Sequence, residues 1–132
     1  MAKQKISPIQ NIVFVPGPLW EESFVKALKS APNLAQKVKE FRAFKTQNPL
    51  VPFGSNDRAF ISDGIYKQYL PKARKAHLTQ DISIVYELSG RDPTVITLLG
   101  VFSHADLGTG QPANKNTQQN MAKRLAREDI SG

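Results

Sequence analysis

The chain of 132 residues contains no cysteine and no apolar run long enough to cross a bilayer. Disulfides, thiolate metal sites, iron–sulfur clusters and thiol nucleophiles are therefore excluded, and the composition fits a reducing compartment. No apolar signal-peptide core follows the basic N-terminal residues Met-Ala-Lys-Gln-Lys. We expect a cytoplasmic protein with no membrane partner, folded as a single domain over residues 1–132 around one core.

Acidic residues are also few, because 11 Asp and Glu stand against 18 Lys and Arg, which gives a net charge of +7 at pH 7. This excess favours a polyanionic partner, since neutralising phosphates releases counterions. No Walker or dinucleotide motif occurs, so no nucleotide cofactor is expected. Two stretches, 65–80 and 115–127, contain cations without acids. The residues that we expect to contact RNA from these stretches are Lys67, Lys72, Arg74, Lys75, Lys123 and Arg124.

Hydrophobic periodicity predicts an α+β fold in the order β-α-α-β-β-β-α. In the first helix, Trp20, Phe24, Val25 and Leu28 are predicted to face the core. The last three strands are predicted to form an antiparallel meander, and a basic extension is predicted from about residue 108. The predicted elements are a strand at 9–15, helices at 18–28 and 34–45, a loop at 48–64 with an extended piece at 59–61, strands at 72–78, 81–88 and 95–102, and a helix at 116–127.

Only two histidines are present, and each lies in a short cluster with a carboxylate. His77 stands four residues before Asp81, and His104 stands two residues before Asp106. Both clusters follow predicted strands, so we expect them at one edge of the sheet. If Thr79-Gln80 forms a tight hairpin turn, His77 and Asp81 lie within side-chain reach of each other.

These residue types suit acid/base chemistry, because the ordinary histidine pKa of about 6.5 leaves both forms available near neutral pH. RNA carries its own nucleophile, the 2′-hydroxyl. His77 and His104 could move the protons, Asp81 could orient a histidine or act as base, and Arg74 or Lys75 could hold the phosphate. Structural roles are the competing interpretation for each residue, with Asp106 as a turn cap. A metal site of both histidines and both aspartates is less favoured, since the spacing matches no ligand motif.

The segments from His77 to Leu88 and from Val95 to Leu107 together resemble the RelE/ParE toxin superfamily, in its YafQ-like branch. The resemblance rests on a histidine four residues before an aspartate, a hydrophobic strand ending in Tyr86, and a terminal Ser-His-x-Asp-Leu. It implies a RelE-like fold, with an N-terminal strand and helical hairpin packed on an antiparallel sheet. It also implies a toxin, held inactive by a cognate antitoxin, that cleaves messenger RNA on the ribosome without a metal. His77, Asp81 and His104 match the catalytic positions of that family.

The chain departs from the family pattern at three positions. Asp63-Gly64 stands where a further histidine is usual, Gly100 where a strand arginine is common, and Gly108 where an aromatic residue follows. An endoribonuclease toxin is the leading hypothesis. Two alternatives stay open: a ParE-like gyrase inhibitor, which would not need the histidines, and a non-catalytic RNA- or ribosome-binding protein derived from a toxin.

Overall fold

A five-stranded sheet organises the protein, and a computed structural model describes residues 11–60, 64–91 and 93–126. The strand order is β1-β5-β4-β3-β2; β1 runs parallel to β5, and all other neighbours are antiparallel. The predicted α+β class and the meander of the last three long strands are confirmed. The strands are β1 Ile12–Pro16, β2 Arg58–Ala59, β3 Ala73–His77, β4 Ile82–Ser89 and β5 Thr94–Ser103.

Five helices accompany the sheet: α1 Trp20–Ser30, α2 Leu34–Gln47, α3 Gly64–Tyr69, α4 His104–Leu107 and α5 Lys115–Leu125. The sequence pattern predicted α1, α2 and α5 but neither α3 nor α4, because helices of one or two turns show too little periodicity. Residues 9–10, Ile61 and Arg127, which were assigned to predicted elements, lie outside the described residues. Within the described ranges, no helix is long and apolar enough to span a membrane.

The sheet divides the interior into two cores, whereas the sequence suggested one. Successive residues alternate between them, since Ile84 packs in the first cluster and Val85 in the second. The first core lies between the sheet and the α1–α2 hairpin, and includes Leu34 and Phe41. The second lies on the opposite face, where α3 and α5 contribute Tyr66, Leu70, Ala122 and Leu125. Helix α5 is therefore an integral part of the fold, and it is buried more deeply than its thin apolar stripe suggested.

One core prediction in α1 is wrong. Val25 is 50% exposed, whereas Ser23 and Ala27 are the buried residues of this helix. The buried stripe runs through Ser23, Ala27 and Ala31, at spacings of four residues, so that Val25 falls outside it. Hydrophobicity alone pointed to valine, but the helical position decides which residue is buried.

Candidate active site

Strand register brings the two histidine clusters to one edge of the sheet. His77, the last residue of β3, is paired with Ser83, and Ile82 at the start of β4 is paired with Ser103 at the end of β5. His104 follows immediately as the first residue of α4. The end of β3, the β3–β4 connection and the start of α4 are consequently neighbours, as the sequence predicted.

The β3–β4 connection is longer than the tight turn considered from the sequence. It comprises the four residues between His77 and Ile82. The backbone amides of Leu78 and Thr79 donate to the Ile82 carbonyl at 2.8 and 3.1 Å. The Thr79 hydroxyl accepts hydrogen bonds from the amides of Asp81 and Ile82 at 3.2 and 3.0 Å. Hydrogen bonds of Thr79 thus hold the connection in its conformation, and Asp81 lies beside the first residue of α4.

The two imidazoles and Asp81 form a compact group, here called the His77–His104 site. The ring centroids of His77 and His104 are 5.7 Å apart in an edge-to-face arrangement. The Asp81 Oδ1 atom lies 3.4 Å from Nδ1 of His104 and accepts a hydrogen bond of the same length from the His104 amide. The carboxylate therefore partners His104, whereas the tight turn predicted His77. Both rings are close enough to contact one phosphodiester group.

The electrostatic surroundings favour the neutral form of His77. Burial lowers the pKa of His77, and the nearby positive charges of His104, Lys75 and Arg58 lower it further. Because a neutral imidazole can accept a proton, His77 is suited to general-base chemistry. His104 instead contacts a carboxylate, which can hold Nδ1 as the donor and leave Nε2 for a ligand.

Asp106 has a structural role, as the alternative interpretation of this residue predicted. Its carboxylate accepts a hydrogen bond from the Ser103 amide at 3.4 Å, and its own amide donates to the Ser103 hydroxyl at 3.1 Å, which forms a capping box. Lys26 contacts the same carboxylate at 2.8 Å. Burial raises the pKa of Asp106, but the hydrogen bonds from Lys26 and Ser103 outweigh it, so the net pKa is lowered. Among the residues that the structure describes, no three carboxylate or imidazole side chains are grouped to hold a metal ion.

Two of the three departures from the family pattern have a steric explanation. A Cβ atom at Gly100 would lie 2.4 Å from the Phe102 ring and 3.0 Å from the Ser23 hydroxyl, so the buried strand has no space for an arginine there. Gly108 ends α4 in the left-handed conformation at φ 74°, and a Cβ atom would lie 2.6 Å from the Asn114 carbonyl. The third departure, Asp63-Gly64, falls partly outside the described residues.

The residues predicted to bind RNA do not form one surface. Arg74 is held by Asp57, with Nε 2.9 Å from the carboxylate and Nη2 donating to the Asp57 carbonyl at 3.1 Å. Lys75 is 8% exposed, and its ammonium lies 5.0 Å from the Phe60 ring centroid. The ion pair with Asp57 and the burial of Lys75 disfavour a phosphate contact by either side chain.

The other four predicted cations lie in α3, in the turn that follows it and in α5. Lys67 in α3 and Lys72 are exposed, and Lys123 in α5 is half-buried. Arg124 forms an ion pair with Glu22 of α1 at 3.2 Å. Their RNA contacts stay a prediction.

Sequence reasoning missed the buried aspartate of the segment that it assigned to a loop. Asp57 has no exposed side-chain surface and contacts Lys45 and Arg74. No local pattern distinguishes such a buried aspartate from a turn aspartate. The extended piece predicted at 59–61 overlaps the two-residue strand β2 at Ala59, but the strand begins one residue earlier, at Arg58.

Comparison with solved structures identifies the fold. Two crystal structures of the E. coli DinJ–YafQ toxin–antitoxin complex match this chain at TM-scores of 0.53 and 0.51, both at 19% sequence identity. Each match covers 75% of this chain and 98% of the other chain. No protein-family model matches the sequence, and neither does any curated protein. The protein therefore has the RelE-like fold of YafQ, and the predicted fold resemblance is confirmed.

Proposed function

We propose that this protein is the toxin of a toxin–antitoxin pair, an endoribonuclease that cleaves messenger RNA on the ribosome without a metal ion. The observation that carries the proposal is the His77–His104 site, with 5.7 Å between the ring centroids and Asp81 beside His104. A net charge of +7 supports a nucleic acid substrate. The YafQ-like fold supports a toxin, although function depends on the site rather than on the fold.

The geometry suggests how the two histidines divide the reaction. Neutral His77 removes the proton from an RNA 2′-hydroxyl, and the resulting oxygen attacks the adjacent phosphorus. The bond from phosphorus to the 5′ oxygen breaks, and protonated His104 donates its Nε2 proton to that oxygen. Asp81 orients His104 through Nδ1. The products are a 2′,3′-cyclic phosphate and a 5′-hydroxyl, with every proton accounted for by the two imidazoles.

A cognate antitoxin is the protein partner in this proposal, and the cytoplasm is its compartment. The solved structures of YafQ contain DinJ, as their description as a toxin–antitoxin complex states. An acidic partner suits the basic surface of this chain. Co-expression with an adjacent short open reading frame should relieve growth arrest and yield a stable complex on size-exclusion chromatography.

The catalytic assignment is tested by His77→Ala, His104→Ala and Asp81→Asn, assayed for RNA cleavage in the presence of EDTA. We expect the histidine variants to lose cleavage by about 10²–10⁴-fold, which is typical for removal of a general acid or base. Wild-type products should carry 2′,3′-cyclic phosphate ends. Gln80→Ala is the matched control, because Gln80 is an exposed residue of the same connection and should cleave like wild type.

Two outcomes would replace this proposal with its alternatives. Growth arrest that survives both histidine replacements would favour gyrase inhibition, which requires no imidazole. Salt-sensitive RNA binding without cleavage would identify a non-catalytic binder. Folding of each variant is checked by circular dichroism, so that loss of activity is not confused with loss of structure.

A further inference from the structure

A single exposed arginine on the edge strand β2 lies beside His77. Arg58 is paired with Lys75 of β3 in antiparallel register. Residues directly opposite each other in such a pair point to the same face, and side chains two residues apart on one strand also share a face. Arg58, Lys75 and His77 therefore share the face of the sheet opposite the α1–α2 hairpin.

The diagonal between Arg58 and His77 is short enough for a guanidinium to span. Diagonal neighbours across an antiparallel pair are about 7–8 Å apart, which is within the reach of long side chains. The positive charge of Arg58 is one of the influences that lower the pKa of His77. The Arg58 side chain is exposed, and it forms no ion pair or hydrogen bond with another described residue.

The backbone at Arg58 is fixed by the preceding residue. The Asp57 carboxylate accepts hydrogen bonds from the Phe53 amide at 2.7 Å and from Tyr86, and contacts Arg74 on β3. These contacts attach the end of the long 48–57 segment to the sheet. An exposed side chain on an anchored backbone can bind a ligand with less loss of conformational entropy than one on a free loop.

We propose that Arg58 binds an RNA phosphate beside His77 and supplies positive charge to that phosphate. This inference rests on the proposed function and identifies a phosphate-binding residue for it. A guanidinium can donate two parallel hydrogen bonds to a phosphate and stabilise the charge that develops on its oxygens during attack. Arg74 is held by Asp57 and Lys75 is buried, so Arg58 is, within the described part of the chain, the exposed cation next to His77.

Binding of a non-cleavable, 2′-O-methylated single-stranded RNA oligonucleotide tests this site without requiring catalysis. Fluorescence anisotropy between 50 and 300 mM KCl compares wild type with Arg58→Gln, Arg58→Lys and Arg91→Gln. Arg91 is the matched control, because it is also exposed but lies in the β4–β5 turn at the opposite end of the strands. Thermal unfolding followed by circular dichroism confirms that all variants are folded.

We expect Arg58→Gln to weaken binding about tenfold, as loss of a charge-assisted contact does, and to reduce the slope of log affinity against log salt by about 0.7. Arg58→Lys should retain the slope but not the full affinity. Arg91→Gln should change both quantities much less. Equal effects of the Arg58 and Arg91 replacements, or no binding by wild type, would overturn the inference.

The two proposals can fail separately. If wild type and Arg58→Gln cleave RNA equally well, Arg58 has no role and the proposed function stands. If RNA binding depends on Arg58 but wild type does not cleave, the phosphate site stands and the catalytic assignment fails.

Discussion

His77 and His104 are chemically identical side chains whose surroundings differ. His77 is half-buried, and the positive groups that face it are Lys75 of its own strand, Arg58 of β2 and His104 of α4. His104 has a carboxylate neighbour in Asp81. Groups of one type whose environments differ in this way can act as an acid and a base at the same pH.

The lowered pKa of His77 predicts how the proposed cleavage should depend on pH. If His77 is the general base, as we propose, it must be neutral, so activity should rise as pH rises through a value below the ordinary histidine pKa of about 6.5. The same pKa is measurable by NMR titration of the imidazole resonances in the free protein. Arg58→Gln should move the pKa of His77 upwards, because it removes a positive neighbour, whereas Arg91→Gln should not. A pKa of His77 above that of an ordinary histidine would contradict this assignment of roles.

At the residue scale, the sequence predicted that the two histidine clusters lie together, but it did not predict all of their contacts. The clusters around His77 and His104 were recognisable because strand endings can be predicted from hydrophobic runs. The tight turn between His77 and Asp81 is not formed, since the conformation of the β3–β4 connection depends on the hydroxyl of Thr79. Arg74 was predicted to contact phosphate because the sequence does not reveal its ion pair with Asp57, which lies 17 positions away.

At the scale of elements, a buried serine connects α1 to the central part of the sheet. Strand β1 ends with Pro16 opposite Leu98, so the following residues of β5 have no strand neighbour on that side among the residues that the structure describes. The Val101 amide there donates to the Ser23 hydroxyl at 3.1 Å, and this hydroxyl donates to the Trp20 carbonyl at 3.0 Å. A helix side chain thus replaces a missing strand partner.

Replacing Ser23 with alanine should lower the free energy of unfolding by about 1–3 kcal/mol, because the buried Val101 amide loses its acceptor. Urea unfolding followed by circular dichroism measures this change. Ser30→Ala is the matched control: its hydroxyl also donates to a helix carbonyl, that of Ala27 at 3.2 Å, but the residue is exposed. That change should stay within about 0.5 kcal/mol. Equal losses for the two variants would show that the contact with Val101 contributes nothing.

Predictability also varied among the elements. Helices α1 and α2 and strands β4 and β5 are long enough for their periodicity to specify them. Strand β2 and helices α3 and α4 contain two, six and four residues, and their existence depends on contacts with distant parts of the chain. Helix α3, for example, is attached to the end of α4 by the Tyr66 hydroxyl, which donates to the Leu107 carbonyl at 2.6 Å.

At the scale of the whole molecule, a buried ionic cluster connects the helical hairpin to the edge of the sheet near Arg58. Lys45 of α2, Arg74 of β3 and Tyr86 of β4 surround Asp57. Lys45 is 1% exposed, with its ammonium 3.7 Å from the carboxylate and 2.7 Å from the Val51 carbonyl. Burial lowers the pKa of Lys45, and the negative charge of Asp57 opposes this shift. The sequence could not predict this cluster, because its members come from four separate segments.

Asp57→Asn should therefore cost about 3–5 kcal/mol of folding free energy, since it removes the counter-charge of a buried lysine. Lys45→Met should cost less, because Asp57 keeps Arg74, which is 28% exposed and can still reach water. In the double variant, the Lys45 ammonium that lost its counter-charge is also removed, so much of the stability lost in Asp57→Asn should be restored. Urea unfolding of the four proteins gives the coupling energy, and additive losses would contradict the ionic interaction. If the cluster also positions Arg58, Asp57→Asn should weaken binding of the 2′-O-methylated RNA under conditions where the variant is still folded.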